Sequence, residues 1–155
     1  SLLAFVFFPV LASLPKDAQF RRAAFKGLAL SLGAGAAVCV VLAPFGGQLM
    51  AMYGAAFVHS KGIMLILLLG GVLEAGNEIL LRTLLALDRG WLRLFSNGAW
   101  ALVMVVASAI WVPRAGGLGL AWATLAALGV HFVLQFILFA SSLPRGKSAD
   151  QLSRQ

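Results

Sequence analysis

The sequence predicts an all-α integral membrane protein, a polytopic bundle of transmembrane helices. Of the 155 residues, 61% are hydrophobic and 11% are charged, and the mean hydropathy is +0.97. An ordinary soluble domain has roughly 45–50% apolar and about 25% charged residues. The 12 basic and 5 acidic side chains cannot cover the outside of a water-soluble fold of this size. Lipid must therefore be the outer solvent.

Several apolar stretches are long enough to cross a bilayer. A hydrocarbon core of about 30 Å requires roughly 20 helical residues, and a helix satisfies its own backbone hydrogen bonds in lipid. The predicted spans are residues 27–44, 63–87, 91–112 and 117–140. We expect them to form a four-helix bundle within residues 15–140.

The two ends of the chain are interpreted separately from this bundle. Residues 1–14 are apolar and follow no initiator Met, so we expect the end of a preceding transmembrane helix in a chain truncated upstream. A signal peptide is the competing interpretation, but the stretch lacks the basic residues that precede such a segment. The polar residues 141–155 predict a disordered cytoplasmic tail.

The basic residues alternate between connectors in a way that predicts orientation. Ten of the 12 lie in three regions. They are Lys16, Arg21, Arg22 and Lys26 in the first connector, Arg82, Arg89 and Arg93 around the turn before the third span, and Arg145, Lys147 and Arg154 in the tail. By the positive-inside rule these regions and the C-terminus are cytoplasmic. Because long apolar runs separate the charges, the net charge of +7 does not indicate a nucleic-acid partner.

Acidic residues within the second predicted span are the most informative feature. Glu74, Asn77, Glu78 and Arg82 share one helical stripe with Gly70. Glu74 is close to the midpoint, where an ionised side chain costs on the order of 2.5–3.5 kcal/mol. We therefore expect these residues to face the bundle interior or a hydrated cavity.

Two interpretations stay open for these side chains. Glu78 precedes Arg82 by four residues, which favours an ion pair within the helix over a direct role in transport. Glu74 is the best candidate for a coupling-ion or proton site. The alternative is a neutral carboxyl that is hydrogen-bonded to Asn77 or to a neighbouring helix for structural reasons.

The last two spans have weaker polar faces. His131 and Gln135, four residues apart, are predicted to line the same cavity, where His131 either titrates near neutral pH or bonds, uncharged, across helices. Thr124 shares their stripe. In the third span, the face with Asn97, Trp100, Met104 and Ser108 is interpreted as packing.

Small residues recur every four positions in several spans, and this spacing predicts close helix approach. The pairs are Ser31 with Gly35, Gly33 with Ala37, Gly71 with Ala75, Gly117 with Ala121, and Gly119 with Ala123.

Motifs for catalysis are absent from the sequence. It has no Walker-type loop, no Cys/His cluster with metal spacing and no nucleophile elbow. We therefore expect no enzymatic activity, no cofactor and no bound metal. The lone Cys39 forms no internal disulfide.

Four segments in sequence order carry a family resemblance from Pro9 to about Phe139. They are FPVLASLPKDAQFRRAAFKG, LMAMYGAAFVHS, LLALDRGWLRLFSNGAW and WVPRAGGLGLAWAT. In this order the chain resembles the polysaccharide flippases of the multidrug/oligosaccharidyl-lipid/polysaccharide exporter superfamily. The segments correspond to a Pro-containing helix end before a basic connector, a Tyr-Gly segment, an Asp-Arg-Gly turn and a Pro-then-Gly-rich hairpin.

The resemblance implies a MATE-like transporter made of two related helix bundles, of which this chain is the later part of the second. Its partners would be membrane lipid, a lipid-linked saccharide and the missing N-terminal bundle of the same chain. Such proteins move undecaprenyl-diphosphate-linked sugar units across the bacterial inner membrane by alternating access. The implied diphosphate favours a basic residue near the cavity mouth, for which Arg82 is the candidate. For Arg21, Arg22 and Lys26 we favour a role in topology.

Two other functions stay open. A proton- or sodium-coupled drug or cation antiporter of the same superfamily would use a membrane-embedded carboxylate such as Glu74. In a non-transporting membrane scaffold, Glu74, Glu78 and His131 would serve packing alone.

Overall fold

A computed structural model describes residues 18–54, 57, 60–87 and 90–142. The helices are α1 (Ala18–Leu42), α2 (Gly46–Met52), α3 (Lys61–Ala86) and α4 (Trp91–Ser142), and the described residues contain no strand. Three of these helices, α1, α3 and α4, are long and apolar enough to cross a membrane. The all-α membrane prediction is thereby confirmed. The predicted helix end at 1–14, Lys16 and tail residues 143–155 lie outside the described part of the chain.

Helix α1 begins at Ala18, well before the predicted start of the span at residue 27. Arg21, Arg22 and Lys26 therefore lie on the helix, where their side chains are exposed, and not in a connector. The helix starts earlier than the predicted span because hydropathy identifies only the part of a helix that can enter lipid. Ala, Arg and Lys are all good helix formers, so the helix continues beyond that part. The helix ends at Leu42, shortly before Pro44, where proline restricts the preceding residue.

Helix α4 is a hairpin of two antiparallel arms, residues 91–115 and 117–142. Gly116 interrupts it with φ 54° and ψ −130°, a conformation that suits glycine. The rings of Trp100 and His131 lie 6.4 Å apart between centroids, whereas a straight helix would separate these residues by roughly 46 Å. Each arm has roughly 25 residues, enough for one span. The turn predicted after Pro113 is thus present, with its break at Gly116.

The two arms touch closely beside this turn. A Cβ atom on Gly119 would overlap the backbone carbonyl of Trp111 in the opposite arm. The tip is therefore a tight backbone contact that leaves no room for a side chain at this position.

Helix α3 packs against every other helix. It is antiparallel to α1, where the Ser31 hydroxyl donates a hydrogen bond of 2.8 Å to the Ala75 carbonyl and a Cβ on Gly35 would lie 3.3 Å from the Val72 Cα. Ser31 and Gly35 thus make the close approach that their spacing predicted. Gly33, by contrast, has nothing within 4 Å of its Cβ position. The pair of Gly33 and Ala37 therefore does not make the close approach that its spacing predicted.

The 117–142 arm lies parallel to α3. A Cβ on Gly70 would lie 3.2 Å from Leu128, and a Cβ on Gly76 would lie 2.7 Å from the Phe132 ring and 2.9 Å from Leu32 of α1. Gly76 is therefore the point where three helices meet.

The apolar core is concentrated at one end of the bundle. It consists of Phe20, Ala24, Leu28, Ile79, Leu80, Leu84, Leu92 and Phe139. The ring of Phe25 meets that of Phe139 edge to face at 5.4 Å. We call this the basic end. The basic residues that lie towards it are Arg21, Arg22, Lys26, Arg82 and Arg93, from α1, α3 and α4. Lys61 and Arg114 lie towards the opposite end. The charges divide as the sequence predicted, and the side that faces the cytoplasm stays a prediction.

Candidate functional site: a polar cavity beside α3

A cavity of about 480 Å³ lies between α3 and the two arms of α4. We call it the polar cavity. Its polar and aromatic lining residues are Glu74, Asn77 and Glu78 from α3, Arg93, Asn97 and Trp100 from the 91–115 arm, and His131 and Gln135 from the 117–142 arm. Five of the six residues that the sequence singled out for a cavity are therefore brought together.

Glu74, Asn77 and Glu78 form the wall of the cavity on α3, because residues three and four positions apart project from one face of a helix. Glu74 is exposed and, among the described residues, makes no ion pair. Asn77 is 2% exposed, and neither its side-chain oxygen nor its nitrogen has a hydrogen-bond partner in the part of the chain that the structure describes. The hydrogen bond between Glu74 and Asn77, one structural role considered for the Glu74 carboxyl, is thus not formed.

Glu78 and Arg82 form the ion pair that their spacing predicted. The Arg82 Nη2 atom lies 3.3 Å from the Glu78 Oε2 atom, and both side chains are partly buried. Glu78 lines the polar cavity, whereas Arg82 does not. The guanidinium group of Arg82 is turned along α3 towards Glu78, and a position of Arg82 near the cavity mouth stays a prediction.

The 117–142 arm contributes a buried amide and imidazole pair. The Gln135 Nε2 atom lies 2.8 Å from the His131 Nε2 atom, one turn away on the same arm. An amide nitrogen only donates, so the His131 Nε2 atom is the acceptor in this contact. Gln135 is 1% exposed, and its Oε1 atom has no hydrogen-bond partner among the described residues. Thr124 bonds the Leu120 carbonyl and lies outside the cavity lining.

The 91–115 arm supplies three lining residues that sequence reasoning did not assign to the site. Arg93, Asn97 and Trp100 recur at four- and three-residue intervals and so share one face. From the sequence, Asn97 and Trp100 were interpreted as packing and Arg93 as a topology signal. The structure places Asn97 and Trp100 in the cavity lining, because the hairpin turns their face towards α3. The Trp100 Nε1 atom is buried without a hydrogen-bond partner in the described residues.

The polar cavity extends from the basic end to the middle of the bundle. Arg93 lies in the first turn of its arm, and Trp100 follows about 10 Å further along the helix axis. Glu74 and His131 lie near the midpoints of α3 and of the 117–142 arm. Polar groups at this depth have no water unless the cavity supplies it, which is why intramembrane ionisable residues indicate functional sites.

The cavity walls show no excess of positive charge. Glu74 and Glu78 bring two carboxylates, Arg93 brings one guanidinium group, and Arg82 pairs with Glu78 behind the wall. Among the described residues, no group of three or more His, Cys, Asp or Glu side chains is placed to hold a metal ion.

A second depression lies on the other side of α3, against α1 and α2. This apolar groove has a volume of about 400 Å³. Its lining residues are Gly35, Val38, Cys39, Met50, Ile63, Met64, Leu67, Leu68, Gly71 and Val72.

Comparison with known proteins yields no match to a family model, to a curated protein or to a solved structure. The fold and the site together define the class: an all-α protein whose apolar helices are long enough to cross a membrane, with a polar cavity between them.

Proposed function

We propose that this chain is part of a transporter that carries lipid-linked saccharide units from the inner to the outer leaflet of a bacterial inner membrane by alternating access. The chain would form the later part of the second bundle of a MATE-like fold. The observation that carries the proposal is the polar cavity, which reaches from the basic end of the bundle to its middle.

The depth of the cavity favours transport over a purely structural role. A membrane scaffold gains stability by filling the space between its helices, whereas a flippase must conduct a polar headgroup through the hydrocarbon region. With the basic end in the cytoplasm, Arg93 lines the part of the cavity nearest the inner leaflet. That is the position in which a guanidinium group meets a phosphate.

The charges that line the cavity support the proposal that the two bundles bind different parts of the substrate. A diphosphate needs more than the guanidinium group of Arg93, because the carboxylates of Glu74 and Glu78 line the same space. Most of the positive charge for the diphosphate would then come from the preceding bundle.

One observation favours a second candidate, a proton- or sodium-coupled antiporter. The Glu74 carboxylate lines the cavity without an ion pair among the described residues, and His131 lines the same cavity. A carboxylate in this setting is suited to binding a proton or a cation.

Reconstitution of the full-length protein tests the proposal. Wild type in proteoliposomes should transfer a lipid-linked saccharide between leaflets. Arg93→Ala should lower the initial rate by about tenfold, because one charge-assisted hydrogen bond contributes about 1.5 kcal/mol, and Glu74→Gln should also slow transfer. Arg114→Ala is the matched control, since Arg114 lies towards the opposite end and bonds the Ile110 carbonyl of its own helix.

Three outcomes separate the candidates. Transfer by wild type that is lost in Arg93→Ala but kept in Arg114→Ala supports the flippase. A correctly inserted wild type that transfers no saccharide but exchanges organic cations for protons or sodium, with loss in Glu74→Gln, supports the antiporter. A correctly inserted wild type that shows neither activity, and that keeps its fold after replacement of Glu74 and Arg93 by apolar residues, supports a scaffold.

A further inference from the structure

We infer that the polar cavity binds the uncharged, hydroxyl-bearing part of its ligand, a saccharide ring, through Asn77, Gln135 and the indole N–H of Trp100. The diphosphate is bound outside these three groups, towards Arg93 and the preceding bundle. The inference rests on the proposed function in taking the ligand to be part of a lipid-linked saccharide, and it assigns the residues and the chemistry that recognise it.

The first step is the burial of polar atoms that have no partner. Asn77 is 2% exposed and Gln135 is 1% exposed, yet both polar atoms of Asn77 and the Gln135 Oε1 atom lack a hydrogen-bond partner in the described residues. The Trp100 Nε1 atom shares this condition. Buried polar groups are normally hydrogen-bonded because leaving them unpaired costs free energy. All three side chains line the polar cavity, so a ligand in it can supply the missing bonds.

The second step is the mixture of donors and acceptors. The Asn77 and Gln135 oxygens only accept, whereas the Asn77 nitrogen and the Trp100 indole nitrogen only donate. A hydroxyl group both donates and accepts, so a polyhydroxylated ring can pair with all of them. A phosphate offers acceptors alone and would leave both amide oxygens unpaired. An ammonium group offers donors alone and would leave the amide nitrogen and the indole N–H unpaired.

The third step is the surroundings of these atoms. The carboxylates of Glu74 and Glu78 disfavour a second negative group in the same space. The tilted ring of Trp100, with its centroid 6.4 Å from that of His131, adds an apolar face with a polar edge. A volume of about 480 Å³ is within the usual range for small-molecule sites.

The experiment compares ligand binding and stability in the full-length protein, purified in lipid nanodiscs. Calorimetry would measure binding of three probes: free N-acetylglucosamine, inorganic pyrophosphate and methylammonium. The variants are Asn77→Leu and Gln135→Leu, which keep side-chain size while removing the polar atoms. Thr124→Val is the matched control on the arm of Gln135, because the Thr124 hydroxyl bonds the Leu120 carbonyl outside the cavity lining.

We expect the wild type and Thr124→Val to bind the sugar, and we expect binding of the two charged probes to be unchanged in Asn77→Leu and Gln135→Leu. Asn77→Leu and Gln135→Leu should each weaken sugar binding by about tenfold, the loss of one or two hydrogen bonds. Trp100→Phe, which keeps an aromatic ring but removes the N–H, should weaken it by a smaller factor. The resistance of Asn77→Leu to unfolding should equal or exceed that of wild type, because an unpaired buried amide has been removed. A merely structural amide would give the opposite change in stability.

Several results would overturn the inference: no sugar binding by wild type, loss of pyrophosphate or methylammonium binding in Asn77→Leu or Gln135→Leu, or a destabilised Asn77→Leu variant that binds the sugar as wild type does. Failure of the inference can be told from failure of the proposed function. Leaflet transfer that survives in both leucine variants keeps the flippase and rejects this saccharide site. Sugar binding without transfer by wild type keeps the site and rejects the flippase.

Discussion

The two sides of α3 enclose spaces of similar size but opposite chemistry. The polar cavity of about 480 Å³ faces the α4 hairpin, whereas the apolar groove of about 400 Å³ faces α1 and α2. On the groove side, Ser31 bonds the Ala75 carbonyl and Gly35 meets Val72, so the helices are in backbone contact. On the cavity side, the amides of Asn77 and Gln135 keep unpaired polar atoms within the described residues.

The difference shows which interface holds the bundle together. Acyl chains are as apolar as leucine, so a groove lined by carbon and sulfur can be filled by lipid without a desolvation cost. The polar cavity cannot be filled in this way, because its buried amides need hydrogen-bonding partners. We therefore expect changes at the α1 interface to alter stability and changes at the cavity wall to alter binding.

The largest expected effect comes from placing a bulky side chain at Gly76, where three helices meet. Gly76→Leu should destabilise the full-length protein by about 3 kcal/mol, because its added atoms would collide with Phe132 and Leu32. Unfolding by SDS in detergent micelles would measure the change. Gly71→Leu on the same helix is the control, since nothing lies within 4 Å of its Cβ position. Equal stability of the two variants would contradict the packing described for Gly76.

The next prediction compares the access of water to the polar cavity and to the apolar groove. In a Cys39→Ala background, a cysteine at Gly98 in the polar cavity should react with a membrane-impermeant maleimide about tenfold faster than one at Gly71 in the apolar groove, because the reactive thiolate forms in water. Both glycines have nothing within 4 Å of their Cβ positions, so neither substitution is strained. Similar labelling rates would remove the distinction between a hydrated and a dry space.

The smallest expected effect is the loss of one hydrogen bond between helices. Ser31→Ala should lower the free energy of unfolding by about 0.6 kcal/mol, the average for such bonds in membrane proteins, and leave ligand binding unchanged. SDS titration with a ligand-binding assay would measure both properties. Ser141→Ala is the control, because the exposed Ser141 hydroxyl bonds the Leu138 carbonyl of its own helix. A loss of binding in Ser31→Ala would mean that the two sides of α3 are coupled.

Hydropathy was sufficient for the number and order of the membrane-length segments but not for the helix ends. The hairpin turn near Pro113 was predicted because proline and glycine interrupt an apolar run there. The start of α1 was placed too late because Arg21 and Lys26 are too polar for lipid, although they suit an exposed helical turn. Helix α2 was missed, since a seven-residue helix has little intrinsic stability and depends on contacts of Gly46 with Lys61 and Met64.

Residues of the site could be predicted where the sequence of a single helix distinguishes them from their neighbours. Glu74, Asn77 and Glu78 stand out because they are polar within an apolar span. Asn97 and Trp100 were not recognised, because on a single helix a packing face and a cavity wall have the same spacing. What distinguishes them is the position of the neighbouring helices, which depends on the fold of the hairpin around Gly116.

The tip of this hairpin has a consequence for biogenesis. Residues 113–117 carry one charge, that of Arg114, and its guanidinium group already bonds the Ile110 carbonyl at 2.8 Å. In the proposed orientation, with the basic end in the cytoplasm, the tip passes through the bilayer at a cost of about 3 kcal/mol for that arginine, and there is no hydrophilic loop to translocate. Because the Gly119 and Trp111 backbones touch, the two arms can pair before they enter lipid. The hairpin is thus suited to leave the translocon as one preassembled unit.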